Sequence, residues 1–519
     1  MKYFIISTFY FLILTTNFIQ GQNIVKGEIS FNLENIKIKE IKENNSSENV
    51  SIKKNIENKN NSDKKTKKDI LNIVRKGVVL INVSAYESAE ISHSTMWKGT
   101  GFIFDKELGI IVTNRHVAGQ MSACEYSLEF HNGQKAEAKL HYMDPIYDFA
   151  FLKVDPSKIP ENAQKIPVKN HGIDINDEIY SVGNSWGDKF SLINGTIFNI
   201  YENVGPFDEQ SFQYSGITVG GASGSPVVND NAEVIGIIYG GSFISGAALP
   251  ISYISDAYEY IKEGKTPTRK YMGIEIKYKG VDSLMDYGLL PKEALDEYKK
   301  LFPNSNNRSI YVVSTMSGSS AGDVIKSGDI IWEVNGKKIG PNLYDLSKIV
   351  NYSSSVNLGV YRNGSLINVS LSPISISSDP FLKFVKFAEA SWYDSSIYTK
   401  LRSDVSENGL YIGSAKSISS FREIASDSYW YSSSLVRVTH IEGEPVNSID
   451  DLMKIIPSLI SKKYFKVSYI DYFGQRKFGT EKITKLPIMK VVKNSKNFSA
   501  PKLYSFNSDS KEWIASDIK

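Results

Sequence analysis

The sequence predicts a mainly β chain, with a long all-β barrel or sandwich unit followed by two smaller α+β units. Short apolar runs of strand length recur from Asp69 to Glu263, punctuated by Gly, Asn and Asp. Downstream, an order of strand, turn, strand, helix and hairpin ends two successive segments, a modest internal duplication. The length of 519 residues exceeds what one core supports, so three units plus tails are expected.

Taken in order, Met1-Lys2 precedes the apolar run YFIISTFYFLILTT and then NFIQGQ. The run is shorter than the ~20 apolar residues of a spanning helix and fits a signal peptide over 1–21, hence export. A retained anchor is the alternative. Residues 22–68 are rich in Asn, Lys, Glu and Ser and too poor in large apolar side chains to offset their ordering entropy, so a disordered linker is expected. In 69–263 the strand candidates are GVVLINVS, GTGFIFD, GIIVTN, FAFLKV, EIYSVG, GTIFNIY, SPVVND and EVIGIIYG, between helices at DILNIVRK and SYISDAYEYIKE. Past the hinge KEGKTPTRK, residues 269–374 carry YMGIEI, a helix at NLYDLSKIV and a hairpin turning at Asn-Gly. Residues 381–485 repeat that ending with helix SIDDLMKII, and 486–519 read as a polar, loose tail.

Composition sets bounds. A hydrophobic content of 41% and a charged content of 23% suit a soluble protein. The net charge of +3 gives no argument for a nucleic-acid partner. Past the N-terminus no stretch is long and apolar enough to span a membrane. The single cysteine, Cys124, excludes an internal disulfide. No metal-ligand cluster stands out, and no cofactor is expected.

The stretch GGASGSPVV at 220–228 surrounds Ser223 with backbone freedom directly before an apolar strand. A nucleophilic serine needs a base and an orienting acid. Of six histidines, His116 in IIVTNRHVAG stands where an apolar strand stops, and Asp148 in DPIYDFAFLKV opens another. A carboxylate placed there is desolvated and needs an imidazole or backbone donors. The order His116, Asp148, Ser223 is that of the chymotrypsin arrangement. In that scheme Ser223 attacks a carbonyl, His116 relays its proton and Asp148 holds the imidazole. Gly220 and Gly221 let the N–H groups of Gly221, Ala222 and Ser223 converge on the oxyanion.

These residues resemble the HtrA/Deg family of serine proteases. TNRHV resembles its histidine motif, DFAFLKV its aspartate motif and GASGSPVV its GNSGGP-[LV]-V serine motif, with Ala222 for Asn and Ser225 for Gly as departures. VIGII with ALPISYI, YMGI and AGDVIKSGDIIWEVNGKKI extend the likeness over most of 70–480. The resemblance implies a chymotrypsin-like double β-barrel protease domain followed by two PDZ-like α+β domains, in a periplasmic or extracellular enzyme. It implies ATP-independent hydrolysis of unfolded or misfolded proteins, capture of peptide C-termini, and a homotrimer or larger assembly. It places a substrate pocket at Ile217, Thr218, Tyr239, Gly240 and Gly241, without a carboxylate to select Lys or Arg. It places a carboxylate-binding loop at Tyr271, Met272, Gly273 and Ile274. Two other readings stay open: a proteolytically weak or inactive chaperone or PDZ scaffold, and a processing protease with one client.

Overall fold

The computed structural model describes residues 65–519 except 90–95, 186, 204–208, 243, 317, 379–380, 398, 401–407, 425–433, 474–483 and 496. The expected signal peptide and all but the last residues of the expected linker lie outside the described residues. A helix over Lys67–Gly77 opens the described chain. The Thr66 hydroxyl accepts the Asp69 N–H while the Asp69 carboxylate accepts the Thr66 N–H, a reciprocal cap that satisfies two otherwise orphaned donors.

Twelve strands then close into two barrels. β1 (Val78–Ser88), β2 (Met96–Asp105), β3 (Ile110–Thr113), β4 (Ser122–Phe130), β5 (Lys135–Met143) and β6 (Ala150–Val154) form the first, in the order β1-β2-β3-β6-β5-β4. β7 (Glu178–Ser185), β8 (Asp188–Glu202), β9 (Ser211–Ser215), β10 (Pro226–Val228), β11 (Val234–Gly241) and β12 (Ser245–Pro250) form the second. Its order, β7-β8-β9-β12-β11-β10, is the same path six strands later. Closure removes the exposed edges that open sheets must protect. β3 is buried throughout and β6 is buried except at Lys153, so both are mostly apolar in sequence.

The barrel interiors differ. Phe102, Phe104, Phe149, Phe151, Tyr142 and Tyr258 pack edge-on or tilted in the first. Ile179, Ile193, Ile197, Phe212, Tyr214, Val227 and Ile238 fill the second. The helix Ile251–Lys262 follows, its Tyr253 and Tyr258 buried against the first barrel's core. No helix among the described residues is long and apolar enough to cross a membrane.

Beyond it, Ile274–Gly280 is the edge strand of a six-stranded sheet, covered by a helix at Leu343–Tyr352. The last sheet has nine strands. Here the expected loose tail needs correction. Thr484–Lys493 pairs with Tyr464–Phe473 at one edge, and the hairpin Lys502–Asn507/Glu512–Asp517 forms the other. The reason lies in aromatic residues dispersed among polar ones. Tyr504 stacks on Phe384 at 5.0 Å, Trp513 lies 5.9 Å from Phe506, and all pack against the first barrel's core cluster. The hairpin turn falls at Asn507, whose side-chain oxygen accepts the N–H groups of Asp509 and Ser510.

Candidate active site

The four residues of TNRH are each tied to residues distant in the chain. The Thr113 hydroxyl donates to the Thr100 carbonyl at 2.7 Å, and the Asn114 amide donates to the Asp148 carbonyl at 2.8 Å. Arg115 Nη1 donates to the Asp144 carbonyl at 2.8 Å, and Nε to Gln120 at 3.0 Å. Arg115 is fully buried, its guanidinium 4.9 Å above the Phe381 ring. A one-turn helix, Arg115–Ala118, is thus held from three sides, and His116 sits at its start.

Asp148, just before β6, grips His116 twice. Oδ2 lies 2.6 Å from Nδ1 of the ring, and Oδ1 accepts the His116 backbone N–H at 3.0 Å. Burial pushes the Asp148 carboxyl up; the His116 charge and hydrogen bonds, with the nearby Arg115 charge, outweigh it and hold the group below its ordinary value. The carboxylate therefore stays ionised and fixes the tautomer that leaves Nε2 as the acceptor.

Ser223, half-buried, lies in the turn before β10. The peptide planes around it are sorted. The Gly221 carbonyl accepts the Thr100 hydroxyl at 2.8 Å, while the Ala222 N–H donates to Val219 at 3.1 Å. The Ser223 carbonyl accepts the Thr100 N–H at 2.9 Å, and the Gly224 N–H donates to Ile238 at 2.9 Å. Among the described residues no backbone acceptor takes the N–H of Gly221 or of Ser223. Two donors therefore remain for an oxyanion. Ala222, expected as a third, is corrected: its N–H closes the turn onto Val219. Gly221 has φ +93°, and a side chain there would meet the Asn184 carbonyl at 1.9 Å. Gly220 has neither constraint, so the bend expected of both glycines belongs to Gly221.

Residues 99–237 match the family of trypsin-like peptidase domains. The chain is 30% identical over 352 residues to the pro-apoptotic serine protease NMA111 of Yarrowia lipolytica, covering 65% of this chain and 35% of that protein. It is 26% identical over 424 residues to the protein of that name from Meyerozyma guilliermondii, covering 79% and 41%. The chain carries a trypsin-like peptidase domain and is similar to serine proteases. It spans only about two fifths of the length of those curated relatives. Similar solved structures include the HtrA-type protease AlgW with a tripeptide (20% identity, TM-score 0.45, 60% of this chain and 98% of that one). The serine endoprotease from Yersinia pestis is another (22%, TM-score 0.40, 60% and 99%).

The two departures of this chain from the serine motif it resembles have physical accommodations. Ala222 is fully buried in the second barrel's apolar cluster, where a polar side chain would need a partner. Ser225 is fully buried, and its hydroxyl, without a hydrogen-bond partner among the described residues, occupies the space left by Gly183, whose Cβ would lie 2.0 Å from it.

Of the residues expected to form the substrate pocket, Ile217 is 61% exposed. Thr218 is buried, its hydroxyl 3.0 Å from the Tyr214 hydroxyl, and Gly246 leaves room for both. Gly241 is exposed, Gly240 half-buried, and the Tyr239 hydroxyl donates to the buried Glu209 at 3.1 Å and meets Ser211 at 2.5 Å. Sequence reasoning missed Glu209, whose carboxylate is engaged by Tyr239, and Thr100, which looked like one more strand residue.

In the expected carboxylate loop, Met272 and Ile274 point into their unit's core, and Tyr271 donates to the Ile274 carbonyl. Gly273 has φ +79°, and its carbonyl accepts the Met316 N–H at 2.8 Å.

Proposed function

We propose that this chain is an ATP-independent serine endopeptidase acting on unfolded or misfolded proteins. The observation that carries this reading is the double grip of Asp148 on His116 beside a serine turn with two unspent N–H groups. The Ser223 hydroxyl attacks the scissile carbonyl carbon while His116 Nε2 takes its proton. The Gly221 and Ser223 N–H groups receive the oxyanion, and the imidazolium returns the proton to the leaving amine. Water, deprotonated by the same imidazole, then releases the acyl group from Ser223.

Residues 269–374 act as a PDZ domain in this proposal. A peptide C-terminus meets the backbone of Tyr271, Met272, Gly273 and Ile274 and adds as a strand along the Ile274–Gly280 edge. Residues 381–485 act as a second PDZ-like unit, and residues 1–21 direct export. Oligomer formation is carried over from the family resemblance.

The wild type is expected to degrade casein and to be labelled by a fluorophosphonate on Ser223, with both lost in Ser223→Ala. A folded wild type that does neither would sink the enzyme and leave the scaffold reading. Pocket residues Ile217 and Thr218 carry no charge, and Glu209 is engaged by Tyr239. Cleavage is therefore expected after uncharged aliphatic or medium-sized apolar residues. Mapping the new C-termini of a digested unfolded protein checks this; a majority of Lys or Arg ends would refute it.

A further inference from the structure

Thr100 on β2 is fully buried and is the meeting point of the two turns that carry His116 and Ser223. Its carbonyl accepts the Thr113 hydroxyl at 2.7 Å, three residues before His116. Its N–H donates to the Ser223 carbonyl at 2.9 Å. Its hydroxyl donates to the Gly221 carbonyl at 2.8 Å and accepts the Asn184 N–H at 3.0 Å, which uses its one proton and one lone pair. A side chain at Gly224 would meet the Thr100 carbonyl at 1.8 Å, so the serine turn lies directly against this residue.

We propose that Thr100 is a positioning residue whose hydroxyl sets the oxyanion hole by locking the Gly221–Ala222 peptide plane. That plane is bonded at both ends, through its oxygen to Thr100 and through its N–H to Val219. It shares the Gly221 α-carbon with the plane that carries the Gly221 N–H, so fixing one gives the other a fixed hinge. The lock is needed because glycine, at φ +93°, resists rotation less than any other residue. Without the hydroxyl, the Gly221 carbonyl loses its partner and the plane is held at one end only, through the Ala222 N–H, so its oxygen turns more readily. A carbonyl oxygen turned toward the site opposes the charge that the oxyanion develops. The expected loss therefore falls on the transition state and spares ground-state binding.

This inference rests on Ser223 being the nucleophile, and its test separates the two. Thr100→Val keeps the side chain's shape and removes the hydroxyl; Thr100→Ser keeps the hydroxyl and removes a methyl. Thr100→Val is expected to lower kcat on a peptide substrate about a hundredfold, the scale of losing one oxyanion donor, with KM little changed. The rate of fluorophosphonate labelling and the affinity for a peptide boronic acid, whose tetrahedral adduct carries the oxyanion, should fall in parallel. Thr100→Ser should restore all three.

A wild type that labels, with a folded Thr100→Val that labels and turns over equally fast, overturns the proposal and leaves the endopeptidase reading standing. A folded Thr100→Ser as impaired as Thr100→Val also overturns it, since packing rather than the hydroxyl would then matter. Should Thr100→Val fail to fold, Thr100→Ala makes the same comparison at a temperature where circular dichroism shows native structure. If neither folds at any temperature, the hydroxyl holds the barrel rather than the turn, and the proposal fails.

Discussion

Asp148→Asn is expected to lower kcat by about ten-thousandfold near neutral pH. The reason is the double grip. Both groups facing Asp148 are N–H donors, the ring Nδ1–H and the His116 backbone. A carboxylate accepts both; a carboxamide has one oxygen and one NH2, so it accepts one and opposes the other. If the oxygen takes the backbone N–H, the NH2 faces Nδ1 and drives the ring proton to Nε2, where it blocks acceptance from Ser223. Steady-state kinetics on a peptide substrate check this, and activity within tenfold of wild type would refute it. The pH dependence of stability has a definite sign. The Asp148 carboxyl lies below its ordinary value in the fold, so its contribution is fully present above the unfolded value of ~3.9. It disappears as pH falls through the lowered folded value. The stability gap between wild type and Asp148→Asn should therefore close in acid.

The second large effect concerns stability. Arg269→Met is expected to cost about 3–5 kcal/mol, because it leaves a buried carboxylate without its counter-charge. Asp144 is wholly buried and Arg269 nearly so, with Nε 2.7 Å from Oδ2. The guanidinium also lies 5.2 Å from the Tyr147 ring and 6.0 Å from that of Phe149, the residue after Asp148. Three other donors, the N–H groups of Ile146 and Tyr147 and the Tyr142 hydroxyl, remain on Asp144 but carry no charge. Adding Asp144→Asn should recover part of the loss, and a double-mutant cycle by urea unfolding measures the coupling. An Arg269→Met protein as stable as wild type would refute the account. A fall in activity is expected as well, since the Asp144 carbonyl anchors Arg115 beside His116.

The barrels and the histidine and aspartate turns were legible because their signals are local. Apolar strand runs, TNRH and DFAFLKV each sit within one short stretch. Closure into two barrels was carried by the family resemblance and not by the strands themselves, since strand order is set by pairings such as β1 with β4 that leave no mark in either strand. Thr100 was invisible for a related reason: its partners at 113, 184, 221 and 223 converge only in space. KEGKTPTRK read only as a hinge, yet its Arg269 is buried. Charge alone does not announce a partner 125 positions away. The terminal strands were hidden by polar residues that outnumber Tyr504, Phe506 and Trp513.

That hairpin has a consequence for the order in which the protein is completed. Residues 502–517 leave the ribosome after every other described strand, yet they lie against the barrel that was made first, with Lys139 bonded to Glu512 and Lys511 to the His141 carbonyl. Until they arrive, the apolar flank of the histidine-bearing barrel stays uncovered. A stalled or prematurely ended chain thus holds the site residues without their outer wall, and the maturing enzyme is itself the kind of unfinished client it is proposed to cut.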